Sequence, residues 1–191
     1  MPGWRGSVEE HRLGGLLGDF IKGPVPESLA PAVADGVRLH RAIDVFAETH
    51  PAFRASRGRI STKRRRVAGV MVDMFYDHFL ARHWESFHPA EPLEVFSARQ
   101  YALLASLGAA LPPRLARILP WMRDDDWLTS YRDAEIIALA LDRMAGRLSR
   151  ANPLPGAGEE LLTHYAAFET DCLAFLPEAR RFAADWLEGR R

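Results

Sequence analysis

VAGVMVDMFYDHFLARH, Val67–His83, is the stretch whose reading decides the fold. It is apolar in nearly every register yet carries Asp73, Asp77 and His78 in its middle. At 100° per residue a helix stacks Asp73 and Asp77, four apart, on one face. His78 falls beside them on the stripe of Val67, Val70, Met71 and Met74, while Val72, Phe75, Tyr76 and Phe79 occupy the other side. A helix apolar almost all round is expected to be buried. Buried carboxylates need a counter-charge, a proton or a cation, so their partner has to come from elsewhere in the chain.

Upstream, no acid occurs between Thr49 and Val72, whereas Arg54, Arg57, Arg59, Lys63, Arg64, Arg65 and Arg66 form a dense positive run. Positive charge without counter-charge predicts an anionic partner docked near the acidic helix. Before it, Val33, Gly36, Val37, His40, Asp44 and Ala47 recur at three- and four-residue spacing, predicting a helix from Ala30 to Glu48 that Pro51 ends. His40 and Asp44 share its face. The preceding segment LGGLLGDFIKG has Asp19 as its one acid and stops at Pro24 and Pro26. Met1–Arg12 has no usable period and is expected to be weakly ordered.

Downstream, Trp84–Pro92 reads as a linker and Leu93–Leu107 as an amphipathic helix. Pro112 and Pro113 open a short helix reaching Trp121 and Met122, and Asp124–Asp126 suit a helix N-terminus before Trp127. Asp133–Leu148 is expected to be helical, SRANPLPGAGE to be a turn cluster, and Glu159–Glu188 to be a long helix bent at Pro177. No strand pattern or repeat interrupts this series. The expected fold is all-α, one compact helical domain over residues 13–191.

The 25 basic and 25 acidic residues cancel, which argues against wholesale nucleic-acid binding, and no apolar run approaches a membrane span. Cys172 is the single cysteine, so no intrachain disulfide forms. Its expected role is core filler, and with no signal-peptide pattern the chain suits a reducing cytoplasm.

Six polar groups fall on buried-looking faces: Asp19, His40, Asp44, Asp73, Asp77 and His78. Carboxylates with one or two histidines are ligands for hard or borderline divalent cations such as Mn²⁺, Mg²⁺ or Fe²⁺. Such an ion neutralises crowded acids, lowers the pKa of bound water and polarises a phosphoryl oxygen, so a phosphate ester is the expected substrate. Arg41, beside His40, and the Arg64–Arg66 cluster are candidates to meet its phosphate. No nucleophile elbow, Walker loop or dinucleotide loop competes with this reading.

The motifs LLGDFIKG, HRAIDVFAETHP and DMFYDHFLARHW, with WLTSYRD, LDRMAGR and HYAAFETDCLAFLP further on, resemble the acyl carrier protein phosphodiesterases, which are similar to HD-type metal-dependent phosphohydrolases. The resemblance covers most of the chain from Leu16 onward. It implies an all-α, HD-like fold and hydrolysis of the phosphodiester joining 4'-phosphopantetheine to a serine of holo-acyl carrier protein, with Mn²⁺ or Mg²⁺. By motif, Asp19, His40, Asp44, Asp73, Asp77 and His78 are the implied metal positions, with Asp19, Asp77 and His78 also expected to serve catalysis. The acid-free basic run would then face the small, acidic carrier protein. Two other readings fit the same residues. An HD-like phosphohydrolase of a nucleotide or other small phosphoester would need no docking surface. A non-catalytic helical module binding an acidic protein would hold its acids in internal pairs with Arg82 or Arg41.

Overall fold

Apolar period and proline position set the element boundaries. The computed structural model describes residues 8–147 and 151–189, and every regular element among them is helical, as expected. No helix of the described residues is long and apolar enough to cross a membrane. Backbone contacts gather the chain into two units.

Unit one comprises Met1–Phe46, Glu94–Asp126 and Ala179–Arg191. It holds α1 (Val8–Leu17), α2 (Pro31–Thr49) as far as Phe46, α6 (Leu93–Ala105) from Glu94, and α7 (Pro113–Asp124). Helix α1 starts inside the stretch expected to be weakly ordered; residues 1–7 of that stretch lie outside the described residues. Gly14 and Gly36 let α1 and α2 touch backbone to backbone. A methyl group on Gly14 would lie 2.0 Å from the Val33 carbonyl oxygen, and one on Gly36 2.1 Å from that of His11. Leu13, Leu17, Val33, Val37, Tyr101, Leu104, Leu115 and Leu119 are buried, and Phe46 stacks on Phe182 at 4.6 Å. Asp124 ends α7, Asp125 caps it, and Asp126 accepts the Ser97 hydroxyl proton.

Unit two comprises Ala47–Leu93 and Trp127–Glu178. Pro51 opens a helix there as well as following one: α3 (Pro51–Arg59) begins with Pro at its first position, where the missing N–H costs nothing. His50 caps it, accepting the Ala52 N–H at Nδ1 (3.2 Å), so its Nε2–H donates to Glu178 (3.1 Å). A 3-10 segment, Thr62–Val67, leads into α4 (Ala68–Arg82). After α4 come α5 (Trp84–Phe87) inside the expected linker, α8 (Trp127–Ser130) and α9 (Ala134–Arg147), whose first turn is capped by Asp133 accepting the Glu135 N–H at 2.8 Å. Leu148, expected to end that helix, lies outside the described residues. The expected last helix is two. α10 (Gly158–Thr163) ends at His164, and α11 (Tyr165–Glu188) runs on through Pro177.

The core of unit two is aromatic. α4 packs against α3 and α9. Phe75 meets Phe168 at 5.0 Å, Phe79 meets Tyr165 at 4.9 Å and Tyr76 meets Phe53 at 5.5 Å, all edge to face, the arrangement ring quadrupoles prefer. Cys172 is fully buried against the Tyr76 carbonyl, and burial pushes its thiol pKa up, so it is core filler as expected. The expectation that α4 is buried all round fails on one stripe: Val70, Asp73 and Asp77 are exposed.

Candidate active site

The polar residues of unit one converge where α1 ends. The chain turns tightly over Leu17–Ile21, the Phe20 and Ile21 N–H groups both donating to the Leu17 carbonyl. That turn presents Asp19 to His40 on α2. His40 Nε2 lies 3.5 Å from Asp19 Oδ1 and 3.6 Å from Asp44 Oδ2, between two exposed carboxylates. Asp44 reaches it because residues four apart stack on a helix. Hydrogen bonding to His40 is the main cause holding the Asp19 carboxyl below its usual pKa, against partial burial, with help from the positive charges of His40, Lys22 and Arg114.

Two features fix this turn on α2. Arg41 Nη2 donates to the Ile21 carbonyl at 2.7 Å. Gly18 lies flat against the imidazole, so close that a Cβ there would sit 2.3 Å from His40 Cγ. The glycine is therefore a requirement of the site, because any side chain would displace the ring. Sequence reasoning passed over Gly18, Lys22 and Arg114. Gly18 had a signal, standing directly before the acid in GDF; Arg114 had none, 95 residues of chain separating it from Asp19.

In unit two the structure separates what the motif DMFYDH joins in sequence. Asp73 and Asp77 stack one turn apart on the exposed stripe of α4, as their spacing predicts. His78, next on the helix, points inward and is 1% exposed. Its Nδ1–H donates to the Tyr131 carbonyl and its Nε2 accepts from the Tyr165 hydroxyl, both at 2.8 Å. Burial, the main cause, and the nearby Arg82 charge lower its pKa, against the Tyr131 bond, which raises it. With both nitrogens engaged, His78 in this geometry offers no lone pair to a metal. Among the described residues no group of three or more His, Cys, Asp or Glu side chains forms a ready metal cage.

The basic run is likewise divided. Arg64 is buried, donating to Glu160 (2.9 Å) and to the Pro153 (2.9 Å) and Pro155 (2.7 Å) carbonyls, and so is no docking residue. Arg57 pairs with Glu48, and Arg59 with Asp171, which also accepts the Ser56 hydroxyl at 2.8 Å. Arg54, Lys63, Arg65 and Arg66 remain exposed.

The family model for acyl carrier protein phosphodiesterases matches residues 6–179. Proteins named acyl carrier protein phosphodiesterase from Escherichia coli O157:H7 (strain EC4115 / EHEC), E. coli O45:K1 (strain S88 / ExPEC) and Shigella boydii serotype 18 (strain CDC 3083-94 / BS512) are 36%, 35% and 35% identical over 170 residues, spanning 89% of this chain and 88% of each relative. No solved structure matches the chain. With the family model covering most of its length and such relatives nearly end to end, the chain belongs to the acyl carrier protein phosphodiesterases, a family of enzymes.

Proposed function

We propose that this protein hydrolyses the phosphodiester between 4'-phosphopantetheine and the serine of holo-acyl carrier protein. Water adds to phosphorus, the bond from phosphorus to the serine oxygen breaks, the serine oxygen takes a proton, and 4'-phosphopantetheine and apo-acyl carrier protein leave. The observation that carries the reading is the His40 imidazole flanked by the Asp19 and Asp44 carboxylates, at 3.5 and 3.6 Å, in a chain of this family. Lys22 and Arg114, whose charges already act on Asp19, supply the positive potential that a phosphodiester anion needs there.

Two carboxylates around one imidazole match Mn²⁺ or Mg²⁺ in kind, and Asp19, His40 and Asp44 are the proposed holders; Asp73 and Asp77 are a separate pair of oxygen donors within unit two. When bound, the ion would acidify water and polarise the phosphoryl oxygen. Gly18 and Arg41 hold the Asp19 turn against His40, and His78 serves as scaffold for α4. The exposed Arg54, Lys63, Arg65 and Arg66 are proposed to attract the acidic carrier protein. The single buried thiol suits a reducing compartment, and the reaction is assigned to the cytoplasm.

The test is mass spectrometry of holo-acyl carrier protein incubated with the enzyme in Mn²⁺, in Mg²⁺ and in EDTA. Conversion to the apo form with metal and its loss in EDTA are expected, and His40→Ala or Asp19→Asn should lower kcat/KM by about 100-fold or more. Folded enzyme that converts nothing in either metal would overturn the reading. Conversion undiminished in EDTA would remove the metal from it.

A further inference from the structure

Next to Asp44 on α2 stands Val45, the most exposed of the large apolar side chains among the described residues. An exposed valine alone needs no explanation. The neighbours of this one give it a place. Arg41 and Val45, four apart, stack as one stripe of α2, and His40 and Asp44 form the stripe beside it, about 100° round the helix axis. The turn that carries Asp19 lies against the first residue of each stripe. Asp19 meets His40, and the Ile21 carbonyl accepts from Arg41 at 2.7 Å. One helical turn further on, Asp44 and Val45 are left open to solvent side by side, the Asp44 side chain 62% exposed and Val45 67%. The substrate assigned above has one apolar group close to the bond that breaks. From phosphorus the prosthetic group continues as an ester oxygen, a methylene and then a carbon bearing two methyl groups. A phosphodiester held at Asp19, His40 and Asp44 therefore brings those methyls within reach of the side chain next to Asp44.

We propose that Val45 is a specificity residue that recognises the dimethyl carbon of 4'-phosphopantetheine, covering its methyl groups while Asp19, His40 and Asp44 face the phosphodiester. The inference rests on the reaction proposed above and adds which part of the prosthetic group the protein reads. Contact between two exposed apolar groups removes both from water, and a β-branched side chain on a helix has almost no rotamer freedom to lose in making it.

The test is a double-mutant cycle between enzyme and substrate. Val45→Ala removes the two methyls of the side chain, and Val45→Thr keeps its shape while replacing one of them by a hydroxyl. Wild type and both variants, checked for folding by circular dichroism, are assayed by mass spectrometry in Mn²⁺ on two forms of holo-acyl carrier protein. One carries the natural arm and the other an arm with hydrogens in place of the two methyls. On the natural arm each variant is expected to lower kcat/KM about 3- to 10-fold, chiefly through KM. On the desmethyl arm the variants should match wild type, and the cycle cancels any effect of the methyls on the stiffness of the arm itself. Equal losses on both arms, or no loss on the natural one, would overturn the contact. Wild type that hydrolyses the natural arm while the cycle shows no coupling would sink the contact and keep the reaction. Wild type that hydrolyses neither arm would sink the reaction, and the contact with it.

Discussion

A methyl group at position 18 would collide with the ring of His40, and this contact sets the tolerance of the site. Gly18→Ala must push the imidazole away from the Leu17–Ile21 turn, lengthening its contact with Asp19. It is expected to lower kcat/KM about 10- to 100-fold, the usual cost of disturbing the orientation of a residue proposed to hold a metal. Gly15→Ala, whose added methyl meets nothing within 4 Å, should match wild type in turnover and stabilise α1 by up to about 1 kcal/mol. Steady-state kinetics and melting temperatures on the two variants decide this. Equal activity in both would remove Gly18 from the positioning role. His78 makes the opposite case. Its place in DMFYDH resembles a ligand position, yet its hydrogen bonds to Tyr131 and Tyr165 make it a strut of the core. His78→Ala is expected to cost roughly 2–4 kcal/mol in urea unfolding through the cavity and the two abandoned polar groups. Turnover per folded molecule should change far less than in His40→Ala.

At the scale of elements, periodicity carried the reading where an apolar face repeats over several turns, as in α2, α4, α6 and α9. It failed where one residue decides. Pro51 can end a helix or begin one, and only the His50 cap, completed by Glu178 from 128 residues away, settles that it begins α3. The 3-10 segment was equally opaque, because the acid that buries Arg64 is Glu160, 96 residues on. Glu160 accepts the Ser61 N–H at 2.9 Å, the Ser61 hydroxyl and the Arg64 guanidinium. Burial raises its pKa, but the Ser61 and Arg64 bonds outweigh that and leave it below the usual value of 4.5. Between the folded pKa and the unfolded one, the unfolded chain binds the additional proton. The carboxylate's contribution to stability is therefore complete above about pH 4.5 and lost as pH falls through the folded pKa. Glu160→Gln should flatten that acid limb of the stability curve, measured by urea midpoints from pH 3 to 6, and a limb as steep as wild type would sink the assignment. Arg64→Ala leaves the half-buried Glu160 carboxylate without its counter-charge, held only by its two Ser61 bonds, and should cost up to about 3–5 kcal/mol near neutral pH.

On the scale of the whole chain, 25 cations balance 25 anions, and docking depends on which of them remain available to a partner. The sequence shows seven basic residues in an acid-free stretch. It cannot show that Arg59 meets Asp171, 112 positions later, or that Arg64 meets Glu160, because charge runs report local composition and pairing is tertiary. Exposure leaves Arg54, Lys63, Arg65 and Arg66, and these are the cations that should steer an acidic substrate. Arg65→Glu combined with Arg66→Glu is expected to raise KM for holo-acyl carrier protein about tenfold at low ionic strength, with kcat little altered. Because exposed charges separated by more than a Debye length are screened, that difference should shrink towards nothing near 1 M salt, where the length falls to about 3 Å. Arg59→Glu must behave differently. It sets a negative charge against the Asp171 carboxylate that also holds Ser56, so its effect should appear as lost folding stability that salt does not abolish. Measuring KM and the urea midpoint for both variants across ionic strength separates the two kinds of cation. A salt-insensitive KM in the Arg65/Arg66 variant would show that the exposed run does not face the substrate.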